Sequence, residues 1–256
     1  HLLYQFVWHE YCDWYLEMIK PDFYGEDAAA RQTAQTIAVR VLEQILVLLH
    51  PIMPFVTEEI YQKLPDAGPS IMLASFPAFE EGRVDAAAEE QMALVMEVIT
   101  AIRNIRGEMN IQPATRVDVL CLVDGTAEKQ LLHEHAGTIC DLSRLANLQL
   151  ATPGEDKKPR MAAGAVVGKV EVFVLLQDIL DFDSESKRLE KELTKLEKEF
   201  GVTKKKLANE DFLQRAPAEV IEKEREKATR LREKMEKIRA LHDKMKSLRD
   251  SAGLKE

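Results

Sequence analysis

The sequence lacks several features that define common protein classes. Its three cysteines, Cys12, Cys121 and Cys140, are far apart and form no C-x-x-C pair, which argues against a disulfide framework and against a thiolate zinc site. No apolar run approaches the ~20 residues that a membrane-spanning helix needs, and no signal peptide is visible. These absences predict a cytoplasmic protein.

Motifs for catalysis and metal binding are also missing. The chain has no glycine-rich phosphate loop, no nucleophile elbow and no supported carboxylate pair. His133 and His135 are two residues apart, whereas a metal pair on a helix needs a spacing of four. We therefore predict no catalytic centre, no metal site and no cofactor in this chain.

Charge is distributed unevenly along the sequence. Residues 1–180 contain 14 Lys and Arg against 26 Asp and Glu, whereas residues 181–256 contain 21 against 18. Within 223–249 the balance is 11 against 5. This difference indicates that the carboxyl-terminal part meets a polyanion.

The first 110 residues have the apolar periodicity of helices. The pattern predicts a helix over 1–20 that Pro21 ends, and a second helix over 27–49 with Asp27 as its N-cap. A short third helix is expected to start near Thr57 with the hydroxyl as a cap, and a fourth runs from Asp85 to Arg106. Four helices with short connections predict a helical bundle over 1–110. The chain opens with His1 inside an apolar pattern, so we expect a piece of a longer protein.

Residues 111–180 have a different pattern. Alternating residues predict a strand at 117–123 before the Asp124-Gly125 turn, and a helix is expected over 127–145 although Gly137 weakens it. A strand over 148–151 and an apolar, β-branched stretch over 166–176, with Gly168 at a bulge or turn, complete a small α+β unit.

Residues 181–256 contain two heptad seams, from about Asp183 to Leu248. The first seam is formed by Leu189, Leu193, Leu196, Phe200 and Leu207, and the second by Ile221, Ala228, Leu231, Met235, Ile238 and Met245. Asn209 is expected to end the first helix and Pro217 to begin the second. Two seams joined by a short turn predict an antiparallel coiled-coil arm, since neither helix can bury its stripe alone. The whole fold is therefore expected to be mostly α, with a bundle, a small α+β unit and this hairpin.

Basic side chains form two candidate sites for phosphate or base contacts. On the bundle they are Arg103, Asn104 and Arg106, where the alternative is that the arginines only satisfy a helix carboxyl end. On the arm they are Lys204, Lys205, Lys206, Arg215, Arg225, Arg230, Arg232 and Arg239. There the alternative is a solvated coiled-coil flank, partly neutralised by glutamates of the first helix.

Several strings resemble one family. FVWHEYCDWYLE at 6–17 and LHPIMPFVTEEIYQ at 49–62 are similar to the anticodon-binding helical domain of valine–tRNA ligases. IRNIRGEMNI at 102–111 is similar to the string that follows in that family, and LANEDFLQRAPAEVIEKER at 207–225 resembles the tip and return helix of its coiled-coil arm. The strings occur in the family's order along essentially the whole chain.

The resemblance implies a tRNA-binding part of a class I synthetase. The bundle would engage the anticodon stem-loop of valine tRNA and the arm would contact the tRNA backbone at its outer corner. Aminoacylation, with ATP and magnesium, would be carried by upstream catalytic and editing domains. The alternative function is a coiled-coil module for protein interaction or oligomerisation; for the ligase fragment itself we expect a monomer.

Overall fold

The computed structural model describes residues 1–154, 159, 161–177, 179, 182–209, 212 and 217–251. It separates into two compact units, His1–Glu90 and Gln91–Glu256, each of which is treated below by itself. The predicted fold class is confirmed: the chain is mostly helical, with a small mixed sheet and two long helices near its carboxyl end. Within the described ranges, no helix combines the length and apolarity needed to cross a membrane.

The first unit begins with helical turns that follow one another from Leu2. Helix α1 consists of an α-helical turn at Leu2–Gln5, wider π-helical turns at Phe6–Tyr15 and a last α-helical turn at Leu16–Met18. Pro21 does not end the helical path as expected, because it occupies the first turn of a short helix α2, Lys20–Phe23, where its missing N–H is not needed. The buried Tyr11 hydroxyl donates to the Ala38 carbonyl at 3.0 Å, and burial raises the pKa of Tyr11 to about 12.

Helix α3 spans Ala28–Leu49 and is capped as predicted. The Asp27 carboxylate accepts hydrogen bonds from the amides of Ala29 and Ala30, at 2.8 and 3.2 Å, which satisfies donors that the first helical turn leaves unpaired.

Helix α4 spans Pro54–Tyr61, so the expectation of a start and cap at Thr57 is wrong. Proline sets the first turn instead, and Thr57 is a buried residue inside the helix. Its hydroxyl donates to the Met53 carbonyl at 2.8 Å and lies 2.8 Å from Nδ1 of His50.

Helix α5, Ala86–Glu108, begins where the sequence predicted. The Asp85 carboxylate accepts from the Ala88 amide at 3.0 Å, and Glu89 lies in the first turn.

The α+β unit is built on four strands, β1 (Val117–Val123), β2 (Leu145–Ala151), β3 (Ala162–Val167) and β4 (Val170–Leu175). Their order is β2-β1-β4-β3, with β1 and β2 parallel and the other neighbours antiparallel. The stretch expected over 166–176 is a β-hairpin, in which Gly168 adopts a φ of +54° at the turn.

The connection between β1 and β2 contains two helices, α6 (Thr126–Glu134) and α7 (Ala136–Ser143), instead of one helix over 127–145. The break is at His135, where a non-helical backbone separates them, and not at Gly137. Strand β2 starts at Leu145, three residues before the expected position, because Arg144 takes a left-handed conformation with φ +56° and turns the chain from helix into strand.

The predicted hairpin is present as helix α8, Phe182–Leu207, and helix α9, Ala218–Ser251. Pro217 precedes α9 and its carbonyl accepts from the Val220 amide, while the Asn209 carboxamide accepts from the Phe212 amide just beyond α8. The functional division into 1–110, 111–180 and 181–256 stays a prediction.

Candidate nucleic-acid interface

The two arm helices face each other along seams that are longer than the apolar pattern alone suggested. In α8 the heptad positions are Ser186, Leu189, Leu193, Leu196, Phe200, Thr203 and Leu207. In α9 they are Ile221, Glu224, Ala228, Leu231, Met235, Ile238, His242 and Met245. The gaps in the predicted apolar series hold polar residues, of which Thr203 is 1% exposed. Near the base, the Ser186 hydroxyl and the His242 ring are paired at 3.1 Å.

In the base half of the arm, acidic residues on α8 neutralise cations on α9. Glu192 lies 3.1 Å from Lys234, and Glu197 lies 2.7 Å from Arg239. The hydrogen bond from Lys234 lowers the pKa of Glu192. A further ion pair, at 2.7 Å, joins Lys244 to Glu108 at the end of α5. These three cations therefore already have carboxylate partners within the chain.

In the tip half the charge of α8 changes sign. The seam flanks that carry Glu190, Glu192, Glu197 and Glu199 nearer the base carry Lys204 and Lys206 here, with Lys205 on the outer face. Lys206 reaches across to Glu224 at 3.1 Å. Lys204 and Lys205 are exposed and take part in no ion pair among the described residues.

Helix α9 carries cations on both flanks of its seam in this half. Arg225 and Arg230 form only local ion pairs, with Glu222 at 3.6 Å and Glu226 at 3.4 Å, and both arginine side chains remain more than 60% exposed. Arg232 and Lys227 are exposed, and within the described ranges neither has an ionic partner. The tip half is therefore a cationic surface with two flanks, which we define as Lys204, Lys205, Arg225, Lys227, Arg230 and Arg232.

The predicted arm residues thus fall into different environments. Five of them, Lys204, Lys205, Arg225, Arg230 and Arg232, belong to the tip surface. Lys206 and Arg239 are engaged across the hairpin. Arg215 lies outside the described residues.

The predicted bundle residues do not form one surface. Asn104 is exposed on α5, whereas the Nε of Arg103 donates to the Leu142 carbonyl at 3.0 Å. Arg106 is 7% exposed. Its guanidinium donates to the carbonyls of Arg144, Gln112, Pro113 and Thr115, at 3.4, 3.3, 3.5 and 2.9 Å.

Arg106 therefore acts as a structural clasp. It ties the end of α5 to the segment before β1 and to the turn after α7. Burial first, and then the neighbouring charge of Arg144, lower the pKa of Arg106. A guanidinium whose donors already face main-chain carbonyls has little left to offer a phosphate.

A groove of about 420 Å³ lies in the first unit between α3 and the segment 74–80. Arg40, Glu43 and Gln44 of α3 line one side, and Tyr61, Phe76 and Glu80 contribute to the others. Phe76 is 65% exposed. The groove thus combines an accessible aromatic ring with amide, guanidinium and carboxylate groups, which are the groups that bind an unstacked base.

Sequence reasoning missed Lys227 on the arm and Gln44 on α3. Lys227 could have been found from the heptad, because it occupies the flank next to the seam residue Ala228. Gln44 gave no such signal, since the groove depends on a distant segment folding onto α3.

Comparison with known families matches both parts of the chain. Residues 1–121 match the anticodon-binding domain of tRNA ligases, and residues 181–246 match the valyl tRNA synthetase tRNA binding arm. The hairpin, its cationic tip and the helical first unit therefore define a part of an aminoacyl-tRNA synthetase that lies outside the catalytic region. Its relatives are valine–tRNA ligases, and the chain belongs to the valine–tRNA ligase family.

Relatives from distant bacteria support this assignment. The chain is 45% identical over 228 residues to the valine–tRNA ligase of Syntrophotalea carbinolica, 41% over 226 to that of Bacillus subtilis and 39% over 226 to that of Thermotoga maritima. Each match covers 88% of this chain and 25% of the relative. The chain thus spans about a quarter of the length of the curated relatives that it matches.

Proposed function

We propose that this chain is the tRNA-binding part of a valine–tRNA ligase. In the proposal the arm contacts the tRNA backbone at its outer corner, and the helical first part engages the anticodon stem-loop. The observation that carries the proposal is the change of charge on the seam flanks of α8, from glutamates that pair with Lys234 and Arg239 nearer the base to lysines at the tip, where Lys204, Lys227 and Arg232 beside the seam face solvent.

The energetics of the tip favour a polyanion. Exposed ion pairs such as Arg230–Glu226 contribute only about 0–1 kcal/mol, so a phosphate can replace the glutamate at little cost. Each phosphate neutralised by a lysine or arginine releases a counterion, which provides affinity without sequence information. The tip surface is therefore assigned to backbone binding.

The first unit is assigned to reading unpaired bases. Bases in a single-stranded loop are recognised by stacking on aromatic rings and by hydrogen bonds to their edges. The groove near Gln44 and Phe76 offers both kinds of contact. Exposed Asn104 stays in the proposal as a polar contact on α5, whereas buried Arg106 is omitted.

Two further points follow from membership in the family. ATP and magnesium would be used by the catalytic part of the ligase and not by this chain, and the cytoplasmic location stays a prediction. A protein-interaction or oligomerisation module is less favoured, because the two apolar seams already face each other within one hairpin.

The experiment is a binding titration with two matched triple variants. Lys204→Gln, Arg230→Gln and Arg232→Gln remove cations from the tip, whereas Lys234→Gln, Arg239→Gln and Lys244→Gln remove the same charge from the base. We expect the tip variant to bind both valine tRNA and a non-cognate tRNA more weakly, by a similar factor, and the base variant to keep its affinity when its helicity is intact.

Three outcomes would contradict the proposal. If the wild-type chain bound no tRNA at low salt, the proposed function would be wrong. If the base variant lost as much affinity for tRNA as the tip variant, the assignment of backbone binding to the tip surface would be wrong. A loss confined to valine tRNA would show that the arm reads identity.

A further inference from the structure

Five apolar side chains that no element of the first unit covers lie around the start of α4. Ile52 is 76% exposed, Met53 43%, Phe55 90%, Met72 77% and Leu73 76%. We call these residues the apolar patch. A monomer rarely exposes a contiguous apolar surface larger than a few hundred Å², and larger ones mark interaction sites.

The two parts of the patch are held beside each other by Glu58. Phe55 and Glu58 lie one turn apart on the same face of α4. The Glu58 carboxylate accepts from the Ser70 hydroxyl at 2.9 Å and from the Ile71 amide at 3.1 Å, so the turn that carries Met72 and Leu73 is fixed against this face. The patch is therefore preorganised, which lowers the cost of docking.

The residues around the patch favour a protein over RNA as its occupant. The polar residues of α4 beside Phe55 are Glu58 and Glu59, and Lys63, the nearest lysine along the chain, is paired with Glu59 at 2.6 Å. Anionic neighbours repel phosphates, whereas a protein surface can bury the apolar side chains and leave the glutamates at the rim.

We propose that the apolar patch is the docking surface for the remainder of a full-length valine–tRNA ligase. The chain covers 25% of the Syntrophotalea carbinolica enzyme, so three quarters of that polypeptide lies outside the matched region. An intramolecular partner of this size is present at high effective concentration, and a rigid apolar surface suits a permanent contact. The inference rests on membership in the family and not on RNA binding by the arm.

Hydroxyl-radical footprinting tests the inference, because it reports the solvent access of individual side chains. The probe is a chimera in which this chain replaces the matching quarter of the Syntrophotalea carbinolica ligase, compared with the chain alone and without tRNA. We expect labelling of Phe55, Met72 and Leu73 to fall several-fold in the chimera, while Val202 on the arm, 58% exposed, is labelled equally in both.

A double variant provides the second arm of the test. In the chimera, Phe55→Ser with Leu73→Ser should restore labelling of Met72. The double variant should also lower the temperature at which this chain separates from the remainder of the ligase. Val166→Ser, at a 73% exposed position of β3, should change neither the labelling nor this temperature. Equal labelling of Met72 in the chain and the chimera would overturn the inference. Protection that depends on protein concentration, or that appears only with tRNA, would overturn it in favour of a second copy or of RNA. Because no tRNA is present in the main comparison, tRNA binding by the arm can fail or succeed independently.

Discussion

The buried guanidinium of Arg106 joins three segments of the second unit through main-chain carbonyls. Its role depends on geometry and not on charge alone, because a planar fork of donors can reach several carbonyls at once. Arg103, one turn earlier on α5, donates to the carbonyl of Leu142 near the end of α7 while its side chain remains exposed. Both arginines of the string IRNIRGEMNI therefore make structural contacts, but only Arg106 is buried and reaches several carbonyls.

Replacing Arg106 should destabilise the second unit. Arg106→Ala removes a buried side chain and its hydrogen bonds to several main-chain carbonyls, so the free energy of unfolding should fall by about 2–3 kcal/mol. Arg106→Lys should recover only part of this loss, since one ammonium cannot span the same acceptors. Denaturant unfolding followed by circular dichroism measures the change, with Arg103→Ala as the comparison. Equal effects of the two alanine variants would contradict the role of a clasp.

The Glu58 anchor predicts a dependence on pH. Hydrogen bonds, first from Gln62 and then from Ser70 and Ile71, lower the pKa of the Glu58 carboxyl below 4.5 in the folded chain. Its stabilising contribution is therefore present above the unfolded pKa and is lost as the pH falls through the folded value. The difference in unfolding free energy between wild type and Glu58→Ala should shrink between pH 6 and about pH 3. A difference that stays constant over this range would argue against the anchor.

The groove on α3 predicts a selective effect on RNA binding. Gln44→Ala removes one hydrogen-bonding group, which corresponds to about 1 kcal/mol, or roughly a five-fold weaker Kd, for a cognate base. The loss should be larger for valine tRNA than for a tRNA with another anticodon. Gln32→Ala, on an exposed part of the same helix, serves as the control. An equal loss for both tRNAs would exclude base reading by this groove.

At the scale of elements, the hairpin depends on a seam that mixes apolar and polar residues. Leu189, Leu196 and Met245 are at most 6% exposed and provide the apolar contact between the helices. Polar seam positions such as Ser186 and His242 pair with each other at 3.1 Å. Polar pairs in a coiled coil reduce stability but favour one register.

A matched pair of substitutions on α8 tests this description. Leu196→Ala should lower the stability of the arm by about 2–5 kcal/mol, because it removes a buried side chain and leaves a cavity. Val202→Ala, at a 58% exposed position of the same helix, should have little effect, since alanine favours a helix. The circular dichroism signal at 222 nm, recorded as denaturant is added, gives the free energy of unfolding of both variants. Similar losses in the two variants would mean that Leu196 does not lie in a seam.

The long elements could be predicted from the sequence, and their boundaries depended on local chemistry. Caps at Asp27 and Asp85 and the heptads of the arm are encoded in neighbouring residues, so they were found correctly. Thr57 was misassigned because Pro54 offers an earlier start, and the break at His135 has no strong sequence signal. The structural role of Arg106 was foreseen only as the alternative of a contact at a helix end, whereas the groove at Gln44 could not be predicted, since it depends on a segment distant in sequence.

At the scale of the whole molecule, the structure shows which part of the basic charge faces solvent. The first 180 residues are acidic and the carboxyl-terminal part is basic, but only part of that basic charge is available. In the base half of the arm, Lys234 and Arg239 beside the seam pair with glutamates across the hairpin, whereas Lys204, Lys227 and Arg232 beside the seam in the tip half face solvent without such a partner among the described residues. RNA affinity is therefore expected to reside in a small part of the surface, on a molecule whose net charge is −9.

The dependence of tRNA binding on salt tests this central claim most directly. The logarithm of the binding constant should fall linearly with the logarithm of salt concentration, with a slope of about −0.7 to −0.9 for each phosphate neutralised. Removing Lys204, Arg230 and Arg232 together should make the slope less negative by about 2–3, whereas removing Lys234, Arg239 and Lys244 should leave it unchanged. Equal slopes for wild type and the tip variant would contradict the account.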